Sequence, residues 1–216
     1  MLVTGIKSKP VYAPLRADTR GRFHLMLGVS EGAAPLLRVL REMQSQAPQA
    51  LGATRVLLAP GVPATGASPA GGGTEAPVHS LCDFGDLPLQ PERSFNDVPA
   101  LLAELRSSLE TALMGTRLYL AGPESFIGLA MKIAFEFNLN KDEVRAEQVG
   151  TLARRVYCVH CRSTTENVRT NIVRCLGCAR WLLVRDHYSR RLAAYMGVMV
   201  DAEVPGELPP IQEVFV

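Results

Sequence analysis

Two Cys-x2-Cys pairs constrain this chain more than any other feature: Cys158-Val-His-Cys161 and Cys175-Leu-Gly-Cys178, thirteen residues apart. Each pair reverses the backbone within two residues, so both of its thiolates point at one centre. Two such pairs supply the four sulfurs of a closed, tetrahedral, structural site. Zn²⁺ suits that donor set, and iron fits the same four thiolates. The residues between the pairs are expected to make a short β-excursion that returns the second pair to the first. The competing readings are a disulfide framework or four buried thiols. Disulfides imply secretion, and the N-terminal sequence shows no secretory signal.

The chain has 216 residues, enough for one medium domain and a small metal-stapled one. The expected division is 1–150 and 151–216. No apolar run of eighteen residues occurs, so no membrane-spanning segment is expected. Using four of the five cysteines as a metal set fits a reducing, cytoplasmic setting. The fifth, Cys82, falls in an expected strand over 78–82 and reads as a small buried hydrophobe.

Charge is unevenly spread. Residues 1–150 carry 14 basic and 15 acidic side chains, whereas 151–191 carry nine arginines against Glu166 and Asp186 alone. The cysteine module is therefore a cationic surface suited to phosphates or to an acidic protein face. A merely solvated charge run is the alternative. The all-arginine composition favours bidentate contacts.

Upstream of the cysteines, apolar runs alternate with helical patterns. Phe23–Leu27 reads as a strand that enters a turn from Gly28 to Gly32. A helix follows with Pro35 at its first position and Leu36, Val39, Leu40 and Met43 on one face. Thr54–Ala59 is a second strand and 60–76 a low-complexity loop. Asp97 caps a helix presenting Val98, Leu101, Leu102, Leu105, Leu109 and Leu113. Arg117–Ala121 is a further strand. Gly122-Pro123 opens a helix burying Phe126, Ala130, Ile133, Ala134 and Phe137, and Val144–Glu147 closes the series. Strand, helix, strand, repeated, predicts an α/β domain with a parallel sheet whose crevice lies at the strand C-termini. Gly28, Gly32, Gly122 and Pro123 stand at two such ends, each before a helix start that favours an anion. Glycines also serve plain tight turns there.

Over residues 21–148 the chain resembles the pyridine-nucleotide domain of ferredoxin-reductase-like proteins, and most of all the phthalate-dioxygenase-reductase branch. The resemblance is carried by the Phe23–Pro35 strand, turn and helix start, by Leu118-Tyr-Leu-Ala-Gly122-Pro123-Glu-Ser-Phe126, and by Val144-Arg-Ala-Glu147. It implies a dinucleotide pyrophosphate site at Gly28, Gly32, Gly122 and Pro123. Four departures count against NADPH in this chain. Glu31 stands in the phosphate turn. Pro60-Gly-Val-Pro63 stands where that family offers an arginine, and Ala121 where it has a cysteine. Residues 1–22 are too few for the flavin-binding barrel.

With Val184-Arg-Asp-His-Tyr-Ser-Arg-Arg-Leu-Ala-Ala-Tyr-Met-Gly197 included, most of the chain resembles the small subunits of bacterial dimethylamine monooxygenase. That resemblance implies an accessory role beside two partners, a flavin (FMN) and [2Fe–2S] reductase subunit and a haem-containing oxygenase subunit. The whole would use NADPH and O₂ to convert dimethylamine to methylamine and formaldehyde. The competing functions are an electron-transfer component, binding NADPH or a rubredoxin-like iron, and a nucleic-acid-binding zinc ribbon. The last is disfavoured by the scarcity of aromatics among the arginines.

In the same segment, Asp186 or Ser189 is expected to cap a C-terminal helix carrying Tyr188, Leu192, Tyr195 and Met196. His187 and His160 read as packing or contact residues, since four thiolates already close the site. Arg190 and Arg191 are expected to face an acidic partner. The proline-rich tail from Val204 is expected to be extended. The complete expectation is thus a nucleotide-binding-like α/β domain followed by a small zinc-ribbon-like β domain, helix and tail.

Overall fold

The computed structural model describes residues 8–61, 84, 85, 87–91 and 93–216. Most of the expected low-complexity loop, the strand over 78–82 and Cys82 lie outside the described residues.

The chain divides into two compact units. One comprises 8–11, Pro123–Lys132 and Thr151–Val216; the other comprises Tyr12–Gly122 and Ile133–Gly150. The residues opening the helix after Gly122 therefore group with the cysteine module.

Up to residue 150 the elements are, in order, β1 (Phe23–Val29), α1 (Ala33–Gln46), β2 (Thr54–Ala59), β3 (Arg93–Ser94), α2 (Val98–Glu110), β4 (Thr116–Gly122), α3 (Glu124–Glu136) and β5 (Val144–Gln148); all belong to the larger unit except α3, whose residues up to Lys132 group with the smaller one. Among the described residues every strand pair of the larger unit is parallel, in the order β3-β2-β1-β4-β5. Strand order reverses between β1 and β4, which puts the crevice of such a sheet at their C-terminal ends. β1, β2 and β4 are buried almost throughout, the pattern of parallel strands covered on both faces.

Local chemistry sets the helix limits. The Asp97 carboxylate accepts from the Ala100 N–H at 2.7 Å, the N-cap bond its sequence position predicts. Leu101, Leu105 and Leu109 are the buried stripe of α2. Leu113 lies past the helix end and is 63% exposed, so it is not part of that stripe. Pro35 occupies the third position of α1 rather than the first, because a 3₁₀ turn over Ser30–Gly32 precedes the helix. The first four N–H groups of a helix have no internal partner, so proline costs no hydrogen bond at the third position either.

One core joins Met26, Leu36, Val39, Leu40, Met43, Val56, Leu58, Tyr119 and Ala121 with Leu15, which lies outside every regular element. The segment carrying Leu15 is tied down by polar bonds. The Leu15 N–H donates to Glu147 at 2.6 Å and the Asp18 N–H to the Tyr119 hydroxyl at 2.9 Å. Asp18, almost fully buried, receives Arg20 at 2.9 Å, Arg145 at 3.0 Å and Arg117 at 3.3 Å. The Arg20 hydrogen bond is the largest influence, and it holds the Asp18 carboxyl well below the usual carboxylate range against the opposing effect of burial.

In the smaller unit, β6 (Arg154–Cys158), β7 (Thr164–Val168), β8 (Ile172–Arg174), β9 (Trp181–Ser189) and β10 (Ala194–Met199) form a second sheet in the order β7-β6-β10-β9-β8. Only the β6–β10 pair is parallel. The residues between the cysteine pairs make the expected β-excursion, through β7 and β8 at opposite edges of the sheet, and bring the second pair back to the first. One expectation needs correction. The C-terminal helix expected from Asp186 or Ser189 is absent, replaced by the β9–β10 hairpin. Leu182, Val184 and Tyr188 are buried at even spacing along β9, and Tyr188 sits opposite Tyr195, ring to ring in an edge-on contact at 5.1 Å. Alternate-residue burial plus a cross-strand aromatic pair outweighs the helical spacing of the same residues.

The tail turns at Val204–Glu207, where the Glu207 N–H donates to the Val204 carbonyl at 3.2 Å, and beyond that it has no helix and lies on its own unit. Val214 and Phe215 donate their N–H groups to the Arg169 carbonyl, both at 2.9 Å. The Phe215 ring packs 3.7 Å from the Arg154 guanidinium, which stacks at 3.9 Å on Tyr195 and donates to Asp186 at 2.9 Å.

The Asp18 cluster makes a testable stability claim. Replacing Asp18 with Asn leaves three arginines facing a neutral amide, and breaking a buried ion cluster in this way should cost about 3 kcal/mol. Because the folded-state pKa is depressed, wild-type stabilisation is present above the unfolded carboxylate range and is lost as pH falls below about 4. Urea melts should show a large gap between wild type and Asp18→Asn at neutral pH that narrows on acidification. A gap unchanged across that range would remove Asp18 as the source.

Candidate metal centre and dinucleotide-type turn

The four cysteines stand at corresponding places in two hairpins. Cys158 ends β6 and Cys161 lies in the turn to β7; Cys175 follows β8 and Cys178 precedes β9. The two turns have the same hydrogen-bond pattern. Cys158 N–H donates to the Ser163 carbonyl at 2.9 Å and Arg162 N–H to the Cys158 carbonyl at 2.9 Å. Cys175 N–H donates to the Arg180 carbonyl at 2.9 Å and Ala179 N–H to the Cys175 carbonyl at 3.0 Å. Arg162 (φ 66°) and Ala179 (φ 59°) take the same left-handed backbone at matching positions. That conformation is strained for residues with a Cβ and is held by its surroundings.

The sulfurs converge as the spacing predicts. All four Sγ atoms lie within 4.8 Å of one another, with Cys158 to Cys178 at 3.8 Å and Cys161 to Cys175 at 3.5 Å. Four sulfurs each about 2.3 Å from one zinc stand roughly 3.8 Å apart, so the cage has the right size. None of these four is in a disulfide. The Ser163 hydroxyl lies 2.9 Å from Cys161 Sγ and 3.3 Å from Cys175 Sγ. A Cβ on Gly177 would fall 2.4 Å from the Ser163 hydroxyl, which accounts for glycine there.

The surroundings treat the thiols differently. Burial raises Cys175, but the Ser163 hydroxyl and the Cys178 and Gly177 N–H groups outweigh it and bring its pKa to about 6. Burial pushes Cys158 up to about 11, although the Cys161 and His160 N–H groups face its sulfur. The Ser163 hydroxyl lowers Cys161. A second thiolate beside the first is unfavourable until a divalent cation stands between them. The donor set therefore fits a metal ion held by Cys158, Cys161, Cys175 and Cys178.

Neither histidine joins the cage. His160 is exposed, with its Nδ1 3.0 Å from Arg180 on the other knuckle, and His187 is exposed on β9. Of the nine arginines, Arg154 and Arg155 are held in the fold, by Asp186 and by Glu166 at 2.8 Å. Arg190 and Arg191 are exposed in the β9–β10 turn rather than on a helix.

The dinucleotide-type residues have different surroundings. Gly28 lies inside β1, where a Cβ would come 2.8 Å from Leu58 and 3.1 Å from Leu36; it is a packing position, not part of the turn. At Gly32 a Cβ would fall 2.1 Å from the Ala121 carbonyl, so glycine lets the turn press against β4. At Gly61 a Cβ would fall 1.7 Å from the Ser30 hydroxyl, so the chain leaving β2 lies over that same turn. Glu31 is exposed in it. Gly122 and Pro123 are both buried. Glu124, in the first turn of α3, is 7% exposed and accepts the Tyr195 hydroxyl at 2.6 Å. Burial raises its pKa. A phosphate at the α1 start would meet Glu31, and one at the α3 start would meet Glu124.

Sequence reasoning missed Ser163, the paired left-handed positions, the Arg154 stack and the Leu15–Asp18 segment. Only Ser163, two residues beyond Cys161, carried a signal: a hydroxyl beside a thiolate knuckle is a natural sulfur donor.

A parallel dinucleotide-type sheet and a four-cysteine β-module define the class of this chain. Within that class, residues 86–144 match the N-terminal domain and residues 155–198 the C-terminal domain of the dimethylamine monooxygenase subunit DmmA-like family. The resemblance read from the sequence thus holds in both parts of the chain. A relative described as heme-dependent oxidative N-demethylase delta subunit, from Ectopseudomonas mendocina (strain ymp), is 35% identical over 111 residues. That stretch is 51% of this chain and 63% of the relative, a little under two thirds of its length. Among solved structures, the chain is similar to the ferredoxin reductase in carbazole 1,9a-dioxygenase (TM-score 0.42, 14% identity, 62% of this chain and 34% of that one). It is also similar to the Amycolatopsis cytochrome P450 reductase GcoB (TM-score 0.40, 14% identity, 61% and 38%). No described helix is long and apolar enough to cross a membrane.

The cage predicts its own dependence on metal. Cys175→Ser should lower the bound metal severalfold and make 151–200 sensitive to protease while the larger unit stays resistant. Limited proteolysis followed by mass mapping reads this directly. Equal resistance of the variant would show that the module folds without its metal.

Proposed function

We propose that the chain is an accessory subunit of an oxidative N-demethylase, of the dimethylamine monooxygenase kind, with a structural Zn²⁺ and no catalytic centre of its own. Cys158, Cys161, Cys175 and Cys178 hold the zinc. The partners are a reductase subunit bearing FMN and [2Fe–2S] and an oxygenase subunit bearing haem, which supply the chemistry that turns dimethylamine into methylamine and formaldehyde. The larger unit keeps the reductase-type sheet as a scaffold.

One observation carries the reading. The chain matches both domains of a monooxygenase-subunit family, yet its dinucleotide-type turn presents Glu31 and is covered by its own chain at Gly61. A nucleotide site needs that turn open and its N–H groups free of nearby carboxylates. Zinc is the metal of the structural reading, in which the closed four-thiolate cage ties two hairpins together. The same cage with iron would be an electron carrier, the reading that the four thiolates alone also accommodate.

Titration of the isolated chain with NADPH, followed by calorimetry, should give no binding in the micromolar range. Micromolar affinity that is lost in Gly122→Trp would overturn the accessory reading and make the larger unit the nucleotide site. Co-purification provides the partner test: the tagged chain, expressed with its native complex, should elute with flavin and haem absorbance. Elution of a colourless chain alone would count against the assembly.

A further inference from the structure

We propose that the paired tips of the two cysteine knuckles form a docking surface for an acidic protein. The two knuckles present equivalent side chains outward. The residue after the first cysteine of each pair is a large aliphatic group left in solvent: Val159 is 45% exposed and Leu176 is 79% exposed. The knuckles adjoin, since the His160 imidazole on one meets the Arg180 guanidinium on the other at 3.0 Å. A single exposed aliphatic side chain is ordinary, but two at equivalent positions of adjoining knuckles are an apolar feature of the tips.

Arginines adjoin both knuckles along the chain: Arg162 follows the first, and Arg174 and Arg180 flank the second. None of the three is ion-paired among the described residues; Arg174 reaches only the Ala179 carbonyl at 3.3 Å. The two acids of residues 151–191 are already engaged, Glu166 with Arg155 and Asp186 with Arg154 and Lys9. Arginines without ion-pair partners beside exposed aliphatic groups have the layout of an interface, and its complement is a surface with carboxylates around an apolar patch.

Two alternatives fit less well. Nucleic acid would be expected to meet aromatic stacking groups, and the tips offer valine and leucine. Arg190 and Arg191 in the β9–β10 turn are equally cationic, but no large hydrophobic residue from 186 to 198 is exposed beside them. Cys161 and Cys178, the half-buried pair of the cage, belong to the same tips, so a partner docked there covers the more open edge of the metal centre.

This inference rests on the subunit reading, and its test separates the two. The full chain is expressed with its native complex and carries p-benzoylphenylalanine in place of Leu176, or in place of Met114 (95% exposed, in the larger unit) as a control. After irradiation, mass spectrometry identifies the joined peptide. The expected result is a cross-link at 176, absent at 114, to another protein's segment containing several Asp or Glu. Adding Arg162→Glu and Arg180→Glu should lower its yield at least tenfold, with metal content unchanged, whereas Arg190→Glu with Arg191→Glu should leave it largely intact. A cross-link to nucleic acid, to a second copy of this chain, or none above the control would overturn the proposal. If the unsubstituted chain still elutes with flavin and haem in that case, the subunit reading stands and only the docking surface falls.

Discussion

The convergence of four sulfurs on one point is the constraint on which the smaller unit depends. β7 and β8 lie at opposite edges of its sheet, and each is short, with three to five residues. Strands of that length at an edge gain little from their own ladder hydrogen bonds. The cage joins the β6–β7 turn to the β8–β9 turn and so fixes both edges at once. Cys158 and Cys175 are part of the apolar core with Val156, Val168, Leu182, Tyr188 and Tyr195, so two of the candidate ligands are also packing residues. For a module with so small a core, a metal held by the four thiols would contribute folding energy directly.

In the larger unit the sheet order and the turns at its edge have to be read separately. The order β3-β2-β1-β4-β5 and the reversal between β1 and β4 make a crevice, but its use depends on what the turns present. Here Gly32 closes the turn against the Ala121 carbonyl and Gly61 admits the chain over Ser30. The Leu15–Asp18 segment adds a further layer. Leu15 enters the core while Asp18 gathers three arginines, so a stretch with no regular structure is fixed by one apolar and one ionic anchor.

The sequence was informative wherever a single local rule governed. Apolar runs marked β1, β2 and β4, the Asp97 cap marked α2, and the cysteine spacing marked the cage. It was silent where structure depends on distant partners. β3 is two exposed residues, Arg93 and Ser94, with no pattern to read. Leu15 stands in the irregular stretch Val11-Tyr-Ala-Pro-Leu-Arg-Ala-Asp18, which has no helix or strand period, and only its contacts reveal its burial. Tyr188, Leu192, Tyr195 and Met196 are spaced for a helix, yet Tyr188 and Tyr195 face each other across a hairpin; two periodicities were present and tertiary pairing chose between them. The arginine count was legible, but its partition into structural and exposed groups was not, because Arg154 and Arg155 differ from Arg162 and Arg174 only in their neighbours.

The account stands most directly on the metal and its ligands. X-ray absorption at the zinc and iron edges of the purified, untreated chain reports both at once. A single zinc per chain with four sulfur neighbours at about 2.3 Å is the predicted result. Iron in those four positions would make the module an electron carrier, and the absence of metal, or a shell containing nitrogen from His160 or His187, would contradict the four-thiolate cage itself.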